Sequence, residues 1–211
     1  MEHHSSISTM KGLYLVTPDW DDTDRLLQVT EQALLGGAVM LQYRHKTADA
    51  SLRLVQATAL LELCRRHAVP LVINDYPDLC MALDADGVHV GGTDASVAQI
   101  RSQLGADKIV GASCYGDLQL AQAAHQSGAS YVAFGGFYPS RVKKYPVTTS
   151  PDIIRQSRAT IDLPIVVIGG MTADNSRPLV QQGADLVAAI SSVFSAPDPR
   201  LAAQQIATLF A

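Results

Sequence analysis

The sequence has few cysteines, no long apolar run and no large excess of either charge. Its three cysteines, among 211 residues, are odd in number and lack the spacing of metal ligands, so we expect reduced thiols in a cytoplasmic protein. No apolar run is long enough to span a membrane, and no basic segment followed by an apolar core opens the chain. The formal net charge of −4 argues against a nucleic-acid surface and an acidic tail. These absences describe an ordinary soluble protein with neither nucleic acid nor membrane as partner.

The chain also lacks low-complexity segments and linkers, but it repeats one pattern eight times. Short apolar runs alternate with segments that carry apolar residues at helical spacing. Strands are predicted at residues 13–17, 39–44, 70–75, 87–91, 108–113, 131–135, 164–170 and 186–191. Helices are predicted at residues 21–35, 49–67, 77–82, from about 96, 117–127, from about 151, 172–182 and 200–210.

Eight strand–helix units predict an α/β fold, a single (β/α)8 TIM barrel over residues 11–211. The runner-up is a doubly wound open sheet. That fold usually has fewer strands and a glycine-rich turn after the first strand, which this chain lacks. The polar residues 1–10 are interpreted as a native extension or a tag remnant.

Two polar residues, Asn74 and Asp75, end an otherwise apolar run that starts at residue 70. An unbroken run of Val, Ile and Leu is typical of a strand buried on both faces. Residues at the carboxyl ends of such strands line the ligand site of α/β proteins. Because Asn and Asp are also good N-cap residues, the alternative is that they cap the following helix.

Three polar side chains near the end of the second strand are predicted to share one face. Gln42, Arg44 and Lys46 alternate with Tyr43 and His45, and side chains alternate between the two faces of a strand. Unpaired buried cations are costly, so such a row inside a barrel indicates an anion above it. The alternative is a row that faces solvent.

Carboxylates at neighbouring strand ends predict a magnesium site. Asp75 follows the third strand, and Asp94 lies in the loop after the fourth. Mg²⁺ binds one or two carboxylates, keeps several waters and completes its coordination with phosphate oxygens. The basic residues of the second strand would then face a phosphorylated ligand.

The fifth strand ends in Ser113 and Cys114. A nucleophilic role for Cys114 is disfavoured, since no His accompanies it at a recognisable spacing. His89, inside the fourth strand, is interpreted as structural.

The last three strand ends are suited to bind a second anion. Residues 137–146 form a long loop with hydroxyl and basic side chains, which suggests an active-site flap; the alternative is a solvated loop. Gly169 and Gly170 at the end of the seventh strand, with the hydroxyls of Ser191 and Ser192 at the end of the eighth, match the usual phosphate site of a barrel.

The residues therefore indicate a metal-dependent site with two anion-binding regions. A diphosphate fits the Arg, Lys and Asp side, and a monophosphate fits the Gly and Ser side. Since Mg²⁺ and cations stabilise a diphosphate as a leaving group, loss of pyrophosphate is the natural reaction. The residues do not define which organic groups are joined.

The sequence resembles the thiamine phosphate synthase family over nearly its whole length after the first ten residues. The resemblance is carried by Gln42-Tyr43-Arg44-His45-Lys46, Ile73-Asn74-Asp75, residues 87–94, Tyr138-Pro139-Ser140, residues 168–172 and Ile190-Ser191. It implies an enzyme that joins a hydroxymethylpyrimidine diphosphate to a thiazole phosphate and releases pyrophosphate.

The resemblance also implies roles for individual residues. Asp75 and Asp94 would hold Mg²⁺. The pyrimidine diphosphate would be bound by Gln42, Arg44, Lys46, Asn74, Ser113 and Lys143, all but Gln42 being expected to take part in catalysis. The thiazole phosphate would be bound by Ser140, Arg141, Val142, Gly170, Ile190 and Ser191. In the family's dissociative chemistry, pyrophosphate leaves and the thiazole nitrogen captures a pyrimidinyl-methyl cation.

Two positions depart from the family pattern. Where the family commonly has Thr-Pro-Thr-Lys, this chain has Ser140 to Lys143 with Arg141 and Val142 between them, so one hydroxyl and one proline are lost. Gly92 replaces the family's usual Gln.

Two other functions remain open at this point. One is a thiazole tautomerase, a related barrel enzyme that needs no diphosphate site; the other is a non-catalytic ligand-binding or regulatory barrel. The retained basic and acidic residues favour the synthase. Its partners would be small phosphorylated molecules, and the sequence leaves open whether it forms a homo-oligomer.

Overall fold

A closed barrel of eight parallel strands forms the centre of the computed structural model, which describes residues 7–91, 97–139 and 149–211. Every strand pairs with its sequence neighbours, and the last pairs with the first. The predicted TIM barrel is therefore confirmed. The strands are β1 (Gly12–Val16), β2 (Ala38–Tyr43), β3 (Leu71–Asn74), β4 (Gly87–Val90), β5 (Ile109–Tyr115), β6 (Tyr131–Gly135), β7 (Ile165–Ile168) and β8 (Leu186–Ala189).

Helices follow the strands and cover the outside of the barrel. Several begin at an N-cap aspartate whose carboxylate accepts backbone N–H groups, as Asp49 does from Leu52 at 2.8 Å. The α-helices of the described residues are α1 (Thr23–Leu35), α2 (Ala50–Arg66), α3 (Pro77–Leu83), α4 (Val97–Leu104), α5 (Leu118–Gln126), α6 (Asp152–Arg158), α7 (Ala173–Gln181), α8 (Ser191–Phe194) and α9 (Pro199–Ala207). Short 3-10 helices occupy Ile7–Thr9 and Thr208–Phe210.

The sequence prediction was wrong at the end of the eighth strand. That strand was expected to run to residue 191, but β8 ends at Ala189 and Ser191 begins the unpredicted helix α8. The backbone turns at Ile190, whose carbonyl accepts the amides of Val193 and Phe194 at 3.1 and 2.9 Å. A helix of four residues is too short to show helical periodicity in the sequence.

The strands divide the core into two layers. Residues that point outward, such as Leu15 and Val167, pack under the helices, while residues that point inward, such as Tyr14, Met40 and Tyr131, fill the barrel. The side chains of all three inward residues are almost completely buried. Because the interior is packed, ligand chemistry is confined to the ends of the strands. Among the described residues, we find no helix with the length and apolar character needed to cross a membrane.

Candidate active site

Asp75 directly follows β3 and has a left-handed backbone conformation, with φ of 65°. Asp is one of the few residues that adopt this conformation routinely. The amide of Asn74 donates to Asp75 Oδ2 at 2.6 Å, and the Asp75 N–H donates to the carbonyl of His89 on β4 at 3.0 Å. Helix α3 has Tyr76 at its N-cap position, with no side-chain cap. The alternative that Asn74 and Asp75 cap this helix was therefore wrong.

Lys46 lies against Asp75. Its ammonium donates a hydrogen bond to Asp75 Oδ2, while half of the Lys46 side chain is exposed. The pair joins the loop after β2 to the end of β3. The carboxylate predicted to bind a metal therefore already lies beside a positive charge.

Arg44 is held by Asp19, which lies after β1. One guanidinium nitrogen of Arg44 lies 3.1 and 3.2 Å from the two carboxylate oxygens of Asp19. Asp19 also accepts the Lys46 N–H at 2.8 Å. The Thr17 hydroxyl bridges the backbone N–H and carbonyl of Arg44, at 2.8 Å from each. The premise that the buried cations of this row are unpaired was therefore wrong for Arg44, whose partner is a carboxylate of the protein itself, and sequence reasoning gave Asp19 no role.

The last two residues of β2, Gln42 and Tyr43, point to opposite faces of the sheet, as predicted. The Gln42 amide points into the barrel and donates to the Tyr14 hydroxyl at 2.8 Å. Tyr43 points outward and donates to Gln56 of α2 at 3.0 Å. His45, beyond the end of β2, is buried and has one ring nitrogen 3.1 Å from Asp21. The alternative of a solvent-facing row is wrong for Gln42 and Arg44, which are buried.

His89 and Ser113 connect the site to a hydrogen-bonded network inside the barrel. His89 Nε2 lies 2.8 Å from Ser113 Oγ, and His89 Nδ1 lies 2.8 Å from the hydroxyl of Tyr131. The Tyr131 hydroxyl lies 2.7 Å from that of Tyr14. Sequence reasoning missed both tyrosines, which occupy inward positions of their strands and resemble ordinary core residues.

A small cleft lies on the β7–β8 side of the barrel mouth. Gly169 and Gly170 adopt φ values of 111° and 63°, and a Cβ on Gly170 would lie 2.3 Å from the carbonyl oxygen of Pro139. Glycine is therefore required where the β6 loop meets the β7 loop. The cleft is lined by Ile168, Gly169, Gly170, Met171, Ala188, Ile190, Ser191 and Ser192.

The predicted thiazole phosphate residues Gly170, Ile190 and Ser191 all line this cleft. Ser192, which the sequence placed at the end of the eighth strand without a ligand of its own, has a buried hydroxyl oxygen with no hydrogen-bond partner among the described residues. A buried hydroxyl of this kind is suited to a ligand oxygen.

Five predicted site residues lie outside the described residues: Asp94, Ser140, Arg141, Val142 and Lys143. Within the described part of the chain, no three His, Cys, Asp or Glu side chains form a group that could hold a metal ion. Asp75 nevertheless suits Mg²⁺, which needs only one or two protein carboxylates. Its carboxylate lies at a strand end and already pairs with a cation, Lys46.

The cysteines take no part in the site. Cys114 points away from Ser113 and is buried among outward-facing residues of the barrel, where burial raises the pKa of its thiol to about 12. A thiol that stays protonated at neutral pH is a poor nucleophile. Cys64 and Cys80 are buried as well, and all three cysteines are free.

A family model and curated relatives of this chain indicate one family. The family model described as "Thiamine monophosphate synthase" matches residues 13–193. The thiamine-phosphate synthase of Janthinobacterium sp. (strain Marseille) is 64% identical over 204 residues, which are 97% of this chain and 99% of that protein. The thiamine-phosphate synthase of Nitrosomonas eutropha is 45% identical over 201 residues, 95% of each chain. A thiamine phosphate pyrophosphorylase from Pyrococcus furiosus has a similar structure, with a TM-score of 0.84 and 28% identity over 97% of each chain.

Proposed function

Because the chain belongs to the thiamine monophosphate synthase family, we propose that it joins a hydroxymethylpyrimidine diphosphate to a thiazole phosphate and releases pyrophosphate. The observation that carries this proposal is the arrangement of two cations at one side of the barrel mouth, with Lys46 beside Asp75 and Arg44 beside Asp19. Two cations at that place suit a diphosphate, whereas a thiazole tautomerase has no diphosphate to bind.

The diphosphate would bind as the basic side chains exchange their protein carboxylates for phosphate oxygens. Lys46, half exposed, can turn from Asp75 to a phosphate oxygen. Asp19 binds only one guanidinium nitrogen of Arg44. The other N–H groups of that guanidinium can therefore donate to the same diphosphate. Asn74, which donates to Asp75, would keep that carboxylate in place.

Mg²⁺ would be held by Asp75 and Asp94 and, when bound, would help to neutralise the charge of the leaving pyrophosphate. The protein's own residues provide charge stabilisation and positioning rather than a covalent bond. The buried thiol of Cys114 agrees with that division of roles.

The monophosphate would bind in the cleft between β7 and β8. The left-handed glycines allow a phosphate to approach the backbone there, and the hydroxyls of Ser191 and Ser192 line the same cleft. We propose that this cleft holds the thiazole phosphate, facing the diphosphate side across the mouth of the barrel. We also propose a cytoplasmic location, in line with three cysteines that are all free.

Initial rates of pyrophosphate release test the function. Both substrates and Mg²⁺ together should give pyrophosphate and thiamine phosphate in equal amounts, and omission of either substrate or of Mg²⁺ should stop product formation. Isomerisation of the thiazole phosphate without pyrophosphate release would instead identify a tautomerase. No chemical change in any mixture, with both ligands bound, would identify a binding protein.

A further inference from the structure

A continuous chain of hydrogen bonds crosses the barrel beneath the proposed diphosphate site. It runs from Gln42 through Tyr14, Tyr131 and His89 to Ser113, with successive distances of 2.8, 2.7, 2.8 and 2.8 Å. These residues come from five different strands, β2, β1, β6, β4 and β5. Both ends of the chain are residues expected to touch the substrate, whereas the three in the middle are not.

The proton order in this chain follows from its Gln42 end. The Gln42 amide donates to the Tyr14 hydroxyl. Either hydroxyl of the Tyr14–Tyr131 pair could be the donor by distance alone; because Tyr14 already accepts from Gln42, we assign its buried proton to the Tyr131 oxygen. Tyr131 then donates to His89 Nδ1, so a neutral imidazole carries its proton on Nε2 and donates it to Ser113 Oγ. The opposite order would leave the Tyr14 proton without an acceptor in the chain, which is costly in an apolar interior.

Ser113 Oγ therefore accepts a hydrogen bond from His89. The proton of the Ser113 hydroxyl is not used within the chain of hydrogen bonds and can be donated elsewhere. Its side chain is half-buried near the carboxyl end of β5, on the side of the barrel that carries Asn74 and Asp75. A diphosphate accepts hydrogen bonds and cannot donate them once ionised. We propose that Tyr14, Tyr131 and His89 are positioning residues that keep the Ser113 hydroxyl as a hydrogen-bond donor to the substrate diphosphate. This inference rests on the proposed function, since it assigns the diphosphate to Ser113.

Packing fixes the geometry of the chain. A Cβ on Gly111 of β5 would lie 2.0 Å from the Tyr131 ring, so glycine is required for that ring to cross the barrel. The His89 ring stacks on Tyr131 with an interplanar angle of 17°. Burial raises the pKa of both Tyr14 and Tyr131 above the ordinary value for tyrosine, so both hydroxyls keep their protons at neutral pH.

A double-mutant cycle tests whether Tyr131 acts through Ser113. Tyr131→Phe and Ser113→Ala should each lower kcat/KM for the pyrimidine diphosphate by about ten- to a hundredfold, the range for a hydrogen bond to a charged group. The double variant should lose no more than Ser113→Ala alone, and KM for the thiazole phosphate should not change. Losses that multiply would show that Tyr131 does not act through Ser113 and would overturn the inference.

Tyr43→Phe is the matched control. It also removes a buried tyrosine hydroxyl from the barrel, one that donates to Gln56 on the helix side. We expect it to lower the melting temperature to a similar extent as Tyr131→Phe and to leave the kinetics unchanged. If both variants lost kcat/KM to the same extent, Tyr131 would contribute only to the stability of the fold and not to the position of Ser113.

The ¹⁵N chemical shifts of the His89 ring give a readout that needs neither activity nor a variant that folds. In the wild-type protein, Nε2 should carry the proton and Nδ1 should not. A proton on Nδ1 would overturn the inference, because His89 would then accept from Ser113.

The kinetic and spectroscopic results also separate this inference from the proposed function. If the wild type releases no pyrophosphate, the function fails even when the tautomer is as expected. If turnover is normal but the tautomer is reversed or the losses multiply, only the positioning role fails.

Discussion

The ammonium of Lys46 donates a hydrogen bond to the carboxylate of Asp75, which links the loop after β2 to the end of β3. This pair places a cation beside the carboxylate that is expected to bind Mg²⁺. When a metal binds with a diphosphate, Asp75 would pair with the divalent metal ion instead of Lys46, and Lys46 would pair with a phosphate oxygen. The pair thus keeps both charges balanced until the substrate binds.

Asp75→Asn tests the metal role of this carboxylate. An amide is a weaker ligand than a carboxylate, so the Mg²⁺ concentration for half-maximal activity should rise at least about tenfold. Asn tolerates the left-handed backbone, and the fold should be retained. Mg²⁺ titrations of the initial rate, with melting temperatures alongside, measure the change.

Asp84→Asn is the control for that change. Asp84 also has a left-handed backbone, with φ of 54°, and also pairs with a lysine, Lys108, at 2.5 Å. It precedes β4, away from the carboxyl ends of the strands. Similar Mg²⁺ curves for the two variants would mean that Asp75 binds no metal.

Arg44→Ala should affect the diphosphate substrate selectively. Loss of a charge-assisted hydrogen bond of roughly 1.5–3 kcal/mol corresponds to about ten- to a hundredfold in kcat/KM. Arg155→Ala, which removes an exposed arginine paired with Asp152 on α6, should leave the kinetics unchanged. If Arg44→Ala instead raised KM for the thiazole phosphate alone, the two anion sites would have been assigned the wrong way round.

Gly170→Ala should close the cleft between β7 and β8. A Cβ there would meet the Pro139 carbonyl, and a φ of 63° costs a non-glycine residue about 1–2 kcal/mol. Gly105→Ala carries a comparable strain, with φ of 81°, but its Cβ would have nothing within 4 Å. We expect Gly170→Ala to weaken thiazole phosphate binding at least about tenfold and to melt at a lower temperature than Gly105→Ala. Equal behaviour of the two variants in calorimetric titrations and melting curves would show that this contact is unimportant.

The buried thiols should make the protein sensitive to alkaline pH. Burial raises the pKa of the thiols to about 12 for Cys64, about 11 for Cys80 and about 12 for Cys114, from an ordinary value of 9.0. Above pH 9 the unfolded chain loses these protons while the folded chain keeps them, so the free energy of unfolding should fall as the pH rises towards 11. Melting temperatures between pH 7.5 and 10.5 should show this fall. A thiol reagent at pH 8 should react only after unfolding, and rapid labelling of the native protein would contradict the burial of the cysteines.

The barrel and one side of its site were predictable from local patterns in the sequence. Apolar runs and helical spacing are properties of short segments, and the residues of β2 and β3 carry their polar groups where these runs end. The alternation of Gln42 and Tyr43 between faces follows from strand geometry alone. Once the barrel closes, the ends of neighbouring strands necessarily meet.

The partners of these residues were not predictable in the same way. Asp19 holds Arg44 across the neighbouring ends of β1 and β2, but no local pattern marks an aspartate as the partner of a particular arginine. Tyr131 of β6 meets Tyr14 of β1 only because the strands close into a ring. A tyrosine at an inward strand position has the same pattern in the sequence whether or not its hydroxyl belongs to a network. Helix α8 was missed because one helical turn is too short to show periodicity in the sequence.

The location of bound pyrophosphate tests the account most directly. A crystal structure of the protein with Mg²⁺ and pyrophosphate should show the anion in contact with Arg44 and Lys46, the metal on Asp75, and Lys46 turned away from that carboxylate. Pyrophosphate bound instead between Gly170 and Ser191, with the Lys46–Asp75 pair intact, would contradict the assignment of the two anion sites.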